Sequence, residues 1–218
     1  MEFLKRTYES IIIIAGGSPD CVSLLKEFAK NRENKIIMCA DGGIDFLNSL
    51  NIIPDVLVGD LDSAKKYNNS YEIIKLNPVK DETDLEYIIN LIINNNLTEN
   101  VYIFSALGKR MDHTMANIFT LKRFSDNDIF AVIYDSYNKI QVFNGEITLS
   151  ADGYKYLSII PMTDNNCIYA SGVKYPLNGE CLNPFTSRGI SNEIIVENAV
   201  VKSNVPTIII QSDDNIKK

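Results

Sequence analysis

Residues 10–16 read SIIIIAG and run directly into Gly17 and Ser18, a short apolar stretch closed by small, turn-forming residues. The run carries no polar alternation. As a strand it must therefore be covered on both faces, the condition of a parallel sheet lying between layers of helix. The same reading fits 35–41 (KIIMCAD), 54–60 (PDVLVGD), 72–77 (EIIKLN), 100–107 (NVYIFSAL) and 130–136 (FAVIYDS). Between these runs lie helical patterns over 19–32, with Ser18 as expected N-cap, and over 43–50, 83–94 and 113–124. In 83–94, Leu85, Ile88, Ile89 and Ile92 form one apolar stripe at i, i+3, i+4 and i+7, and Thr83 with Glu86 makes a capping box. Strand and helix alternating in this way predict right-handed crossovers and a three-layer α/β domain with a mostly parallel sheet.

Beyond Tyr137 the pattern changes. Segments 139–149, 154–162, 167–175, 193–202 and 206–211 are strand-like, with turns expected at Asn144-Gly145, Asp152-Gly153 and Asn178-Gly179. We therefore expect an α/β domain over residues 1–138 and an antiparallel β-sandwich over 139–218.

Composition narrows the class of partner. The chain has 218 residues, 45% hydrophobic and 22% charged, with 21 Lys+Arg against 28 Asp+Glu, a formal net charge of −7. Such a surface repels polyanions, so neither nucleic acid nor an anionic membrane is expected as a partner. The apolar run 11–15 is far shorter than the roughly 20 residues of a membrane-spanning helix, and a cytoplasmic location is expected. Cys21, Cys39, Cys167 and Cys181 are scattered, without a C-x-x-C pair, and read as reduced and mostly buried rather than as a zinc or disulfide framework.

In open α/β sheets ligands sit beyond the carboxyl ends of the strands. The residues there are Gly16-Gly17, Asp41-Gly42-Gly43, Asp60-Leu61-Asp62, Asp81-Glu82-Thr83-Asp84 and Gly108-Lys109-Arg110-Met111-Asp112-His113. Asp60 and Asp62, at i and i+2, point the same way along an extended chain, close enough to share a hard cation such as magnesium; a solvated acidic turn is the plainer alternative. Asp81 and Asp84 open a helix, where the dipole favours acids whatever the function, but Asp84 is also a candidate metal ligand. The glycines after two strands would let backbone N–H groups approach a phosphate, although no Walker sequence is present. Lys80, Lys109 and Arg110 supply cations near this rim, and Arg110 could clamp phosphate oxygens. His113, the chain's one histidine, reads as a positioning residue in the first turn of a helix capped by Asp112.

Taken in order, these blocks resemble thiamine pyrophosphokinase sequences of bacterial type. The match runs through 40–43, Pro54-Asp55 with 59–63, 81–84, 108–117 and 187–193 (SRGISNE), and so spans most of the chain. The resemblance implies transfer of a diphosphate unit from ATP to the thiamine hydroxyl, with magnesium held by Asp60, Asp62 and Asp84. It implies that Asp41, Gly42, Gly43, Lys80, Asp81, Lys109, His113, Thr114 and Asn117 face ATP, and that Arg110 with Asp112 organises the phosphates. Ser191 and Asn192 resemble the thiamine-binding segment of a homodimer whose active sites lie between subunits. The chain departs from the pattern at Asp45, where many relatives have Asn, at Lys109, in place of a frequent Gly, and in having no Trp. Archaeal pterin pyrophosphokinases share a similar acidic core, so a hydroxymethylpterin-like alcohol is an alternative acceptor. A phosphohydrolase of the haloacid dehalogenase type and a non-catalytic nucleotide or thiamine sensor are the readings outside this class.

Overall fold

A computed structural model of the chain describes residues 1–61, 70–108, 110–164 and 166–215. Its strands are β1 (Ser10–Ile14), β2 (Lys35–Ala40), β3 (Val56–Gly59), β4 (Glu72–Lys75), β5 (Asn100–Phe104), β6 (Phe130–Tyr134), β7 (Asn138–Leu149), β8 (Tyr156–Pro161), β9 (Ile168–Ser171), β10 (Leu177–Glu180) and β11 (Ala199–Ser212). The helices are α1 (Val22–Phe28), α2 (Gly43–Ser49), α3 (Asp84–Asn94) and α4 (Met111–Ser125).

Strands β4-β3-β2-β1-β5-β6 lie side by side in that order, and each neighbouring pair is parallel. Every residue of β1 is buried. Because side chains alternate across a strand, its isoleucines divide between two cores. Ile11 and Ile13 pack with Leu85, Ile88, Ile89 and Ile92 of α3 and with Leu121 and Phe124 of α4. Ile12 and Ile14 pack with Leu25 of α1 and with Ile44 and Leu47 of α2. The three-layer α/β arrangement expected from the uninterrupted apolar runs is the one observed.

The antiparallel part is joined to this sheet without a break. β7 pairs β6 antiparallel, and β11 pairs β7 along nearly its whole length, with a register shift between Ser203 and Thr207. The first half of β11 takes β9 as its other neighbour and the second half takes β8. Pro206, which has no N–H to donate, sits in the shift, and Gly145, paired with Ser203 at its edge, has φ +96°. Together they form a corner of the kind a bulge makes. Around that corner Phe143, Leu149, Leu157, Ile159, Ile168, Ala170, Val201 and Ile209 enclose a further core. Ile208 and Ile140 point the other way, into the core under α3 and α4.

Several local expectations are corrected by these pairings. The Asn144-Gly145 turn is the corner inside β7, and Asn178-Gly179 lies within β10, a strand the sequence pattern did not isolate. The segments 193–202 and 206–211 meet in the single strand β11, while 193–198 contributes only an isolated bridge, Val173 with Ile194. Helix α1 is capped by Cys21 and not by Ser18, whose N–H is committed to Leu107 O at 2.9 Å. Helix α4 begins at Met111 with Arg110 at the N-cap, which puts Asp112 inside the first turn instead of at the cap. Thr83 does cap α3, its Oγ1 accepting from the Glu86 N–H at 3.1 Å. Cys21 and Cys39 are buried as expected, but Cys167 and Cys181 are exposed.

The loops after β1 and β5 are tied to each other: Ala15, Gly17 and Ser18 donate N–H bonds to Phe104, Ser105 and Leu107 O at 2.9, 2.7 and 2.9 Å. A Cβ on Gly17 would lie 2.5 Å from Leu107 O and closer still to Ser105 O, whereas one on Gly16 would meet nothing within 4 Å. Gly17→Ala is therefore expected to lower unfolding free energy by about 1–3 kcal/mol, through overpacking against backbone that cannot yield. Gly16→Ala should stay within about 0.5 kcal/mol of the parent. Urea unfolding of the pair checks this, and equal midpoints would contradict it.

Candidate active site

Strand order reverses at β1: β2, β3 and β4 lie on one side of it and β5 and β6 on the other. Helices following β1 and β2 cover one face and those following β4 and β5 the opposite face, so the loops at the carboxyl ends diverge. This is the topological switch point at which open α/β sheets bind ligands. A cleft of about 680 Å³ lies there, and its walls come from the ends of β1 (Gly16 to Pro19), β2 (Asp41, Gly42), β3 (Asp60) and β5 (Ala106 to Gly108), from Lys80 and Glu82 to Asp84 after β4, and from the start of α4.

The acidic side chains reach the cleft by different routes. Asp41 follows β2 with φ +34°, its N–H donating to Val58 O at 2.8 Å. The ends of β2 and β3 approach closely because residue 59 is glycine; a Cβ there would lie 2.9 Å from Asp41 Cβ. Asp60 is the next residue, and it too lines the cleft. Asp84, the first residue of α3, accepts from Lys80 Nζ at 2.6 Å, with side-chain exposures of 20% and 19%. Asp62 and Lys109 lie outside the described residues.

The β5–α4 loop is fastened from the helix. Asn117 Nδ2 donates to Ala106 O at 2.6 Å, and the Gly108 N–H donates to Thr114 Oγ1 at 3.2 Å. Arg110, His113, Thr114 and Asn117 all line the cleft. Arg110 binds Asp112 at 2.5 Å, and both are open to solvent, at 71% and 63% exposure. The Arg110 guanidinium, and then the His113 N–H, hold the Asp112 carboxyl down to about 2.

Other expected site residues lie elsewhere. Gly43, the first residue of α2, does not line the cleft; a Cβ there would be 2.8 Å from Ala15 O, so this glycine allows α2 to pack against the end of β1. Asp81 is exposed beside the cleft. Ser191 and Asn192 belong to the antiparallel part. Ser191 is exposed, with φ +58°. Asn192 is buried, its Oδ1 accepting from the Tyr175 and Glu193 N–H groups at 3.0 and 2.9 Å and its Nδ2 donating to Tyr175 O at 2.8 Å. Ser18 and Glu82 line the cleft too, rim residues to which the sequence gave no ligand role, and so does Pro78, which follows the apolar run of β4 and was not singled out. Glu82 is held by Asn90 Nδ2 at 2.7 Å.

The fold and cleft define an α/β ligand-binding protein with acidic and basic groups gathered at a strand-order switch point, joined to an antiparallel β unit. Residues 28–133 match the family profile described as thiamin pyrophosphokinase, catalytic domain, and 145–208 match thiamin pyrophosphokinase, vitamin B1 binding domain. The chain belongs to the thiamin pyrophosphokinase family. It is 28% identical to thiamin pyrophosphokinase 1 of Caenorhabditis elegans, over 93% of this chain and 89% of that one. Its fold superposes on thiamine pyrophosphokinase from Bacillus subtilis with a TM-score of 0.85 at 26% identity, covering 94% of this chain and 100% of the other. The corresponding enzyme from Geobacillus thermodenitrificans gives 0.80 at 25% identity, covering 94% and 98%.

A carboxyl whose pKa is depressed on folding stabilises above its ordinary range, and that contribution is lost as pH falls through the folded value. The Arg110–Asp112 pair should thus survive the pH range in which ordinary aspartates protonate, near 3.9. Carboxyl NMR should give Asp112 a midpoint near 2, and Arg110→Ala should return it toward the ordinary range. An unchanged midpoint in the variant would assign the depression to another cause.

Proposed function

We propose that the protein is a thiamine diphosphokinase, moving the pyrophosphoryl group of ATP to the thiamine hydroxyl to give thiamine diphosphate and AMP. The observation that carries this reading is the convergence of Asp41, Asp60, Asp84, Lys80 and Arg110 on one cleft at the strand-order switch point, in a chain of this family. The hydroxyl oxygen attacks the β-phosphorus, and the bond from that phosphorus to the α-phosphate bridging oxygen breaks. Such chemistry needs positioning and charge balance more than a covalent intermediate.

Hard carboxylate oxygens on Asp60 and Asp84 suit magnesium, which takes one or two carboxylates together with substrate phosphate oxygens and needs no preformed cage. Among the described residues no three acidic, cysteine or histidine side chains are grouped as such a cage. In this reading Asp60 and Asp84 hold the ion, with Asp62 as the further ligand implied by the family resemblance. The ion would neutralise phosphate charge during transfer. Lys80, whose ammonium balances Asp84, and the exposed Arg110 are the cations offered to the triphosphate. Asp41 and Gly42 face the nucleotide, and Thr114 and Asn117 keep the β5–α4 loop in place beside it.

The acceptor side belongs to Ser191, whose exposed position lies in the segment matched to the vitamin B1 binding domain; Asn192 shapes that segment from within. We infer a homodimer that brings this segment to the partner's cleft. Met111, Met115 and Phe119 support it, lying exposed at i, i+4 and i+8 on α4, which borders the cleft. The net charge of −7 and the free thiols fit a cytoplasmic protein that does not bind nucleic acid or membrane. Among the described residues no helix is long and apolar enough to cross a membrane.

Incubation with ATP, magnesium and thiamine should yield AMP and thiamine diphosphate; ADP as product would identify a simple kinase instead. Asp84→Asn should slow this reaction roughly 100-fold or more while the chain stays folded at the assay temperature, its melting temperature lowered by the loss of the Lys80 ion pair. Near-normal turnover would remove Asp84 from the metal set. In the same assay Ser191→Ala should raise KM for thiamine more than KM for ATP, and equal changes would argue against an acceptor role. Light scattering should report twice the chain mass, reduced to the single-chain mass in Phe119→Asp, and a monomeric parent would exclude the shared site.

A further inference from the structure

The β9–β10 hairpin ends in two cysteines outside the cleft. Its register pairs Ile168 with Glu180, so continuing the ladder by one step sets Cys167 opposite Cys181. A tie lies on each side of that step: the ladder itself on one, and on the other the Asn166 side chain donating through Nδ2 to Leu182 O. The Cys167 N–H is fixed as well, donating to Asn204 Oδ1 at 2.6 Å. The thiols are close enough for Cys181 to push the Cys167 thiol up, both are exposed, and neither is engaged in a disulfide. Opposed residues of an antiparallel pair have Cα atoms about 4.5–5.5 Å apart, within the span of about 4.4–6.8 Å that a disulfide bridges. Cys21 and Cys39 are instead buried, out of reach of a small disulfide in solution.

We propose that Cys167 and Cys181 form a reversible disulfide site whose co-reactant is a low-molecular-weight disulfide. One cysteine, as its thiolate, attacks the small disulfide, forming a mixed disulfide and expelling one small thiolate. The second cysteine loses its proton to solvent and attacks the protein sulfur of that adduct; the protein S–S bond forms and a second small thiolate leaves. The expelled thiolates take up two protons. Two cysteine sulfurs are oxidised and the small disulfide is reduced by the same two electrons, so excess small thiol drives the site open again. Closure links the two ends of the hairpin just where Leu182 begins the segment leading to Ser191, and it restrains the unfolded chain.

The test uses the full chain and oxidised glutathione as probe, read by intact mass and peptide mapping. The expected product has lost two hydrogens, carries no glutathione, and joins the peptides containing Cys167 and Cys181. Its melting temperature should rise by roughly 5 °C and return with dithiothreitol. Cys167→Ser and Cys181→Ser, each lacking the resolving partner, should instead keep a glutathione adduct on the remaining cysteine. Stable glutathione adducts on the parent, no reaction at either cysteine, a disulfide between two chains, or a crosslink without a rise in melting temperature would each overturn the proposal.

Discussion

The bonds from Ala15, Gly17 and Ser18 to the carbonyls of Phe104, Ser105 and Leu107 carry the pairing of β1 and β5 past the ends of both strands. They hold together two loops that lead into helices on opposite faces of the sheet. A cleft at such a place widens or closes with the slightest movement of its walls, so tying the loops backbone to backbone fixes its floor. The tie needs a residue without Cβ at position 17, and it holds Ser18 in the loop, three residues ahead of the Cys21 N-cap of α1. Burial of β1 on both sides makes the arrangement rigid, because each isoleucine of the strand is locked into one core or the other.

Charge at the cleft is arranged in two settings. Lys80 and Asp84 meet at its wall with most of their surface covered, while Arg110 and Asp112 meet in water at its mouth. The same attraction is weaker at the mouth because solvent screens it. Among the described residues the cleft thus carries Lys80 and Arg110 together with Asp41, Asp60, Glu82 and Asp84, and each of its two cations is matched to a carboxylate close by.

The antiparallel half is held to this assembly by sharing a sheet with it. Successive residues of β11 serve different cores, Ile208 the one under α3 and α4 and Ile209 the one around the corner. The boundary expected at residues 138–139 therefore falls where β7 begins, inside a continuous ladder with β6. This coupling fixes the height of the Ser191 segment relative to the parallel strands. It also explains why Asn192 spends its amide on Tyr175 and Glu193: the chain crosses from Leu157 to the β9–β10 hairpin there, and its backbone needs partners.

Local order was legible in the sequence. The runs 10–16, 35–41, 54–60, 72–77, 100–107 and 130–136 each contain one parallel strand, the stripe Leu85, Ile88, Ile89 and Ile92 faces a core, and Thr83 caps its helix; each rests on near neighbours along the chain. The polar residues after those runs gather at one rim because parallel strands put their carboxyl ends together, so Asp41, Asp60, Lys80, Asp84 and Arg110 could be named beforehand. Tertiary structure alone decided that Asn144-Gly145 and Asn178-Gly179 lie inside strands while Asp152-Gly153 joins two. Gly145 bends β7 because the shift in β11 lies across from it, and Gly179 stays within β10 beside the ring of Tyr169. It also set Cys167 beside Cys181 and buried the amide of Asn192. These outcomes depend on pairing between distant segments, and side-chain periodicity carries no information about which strand will lie opposite.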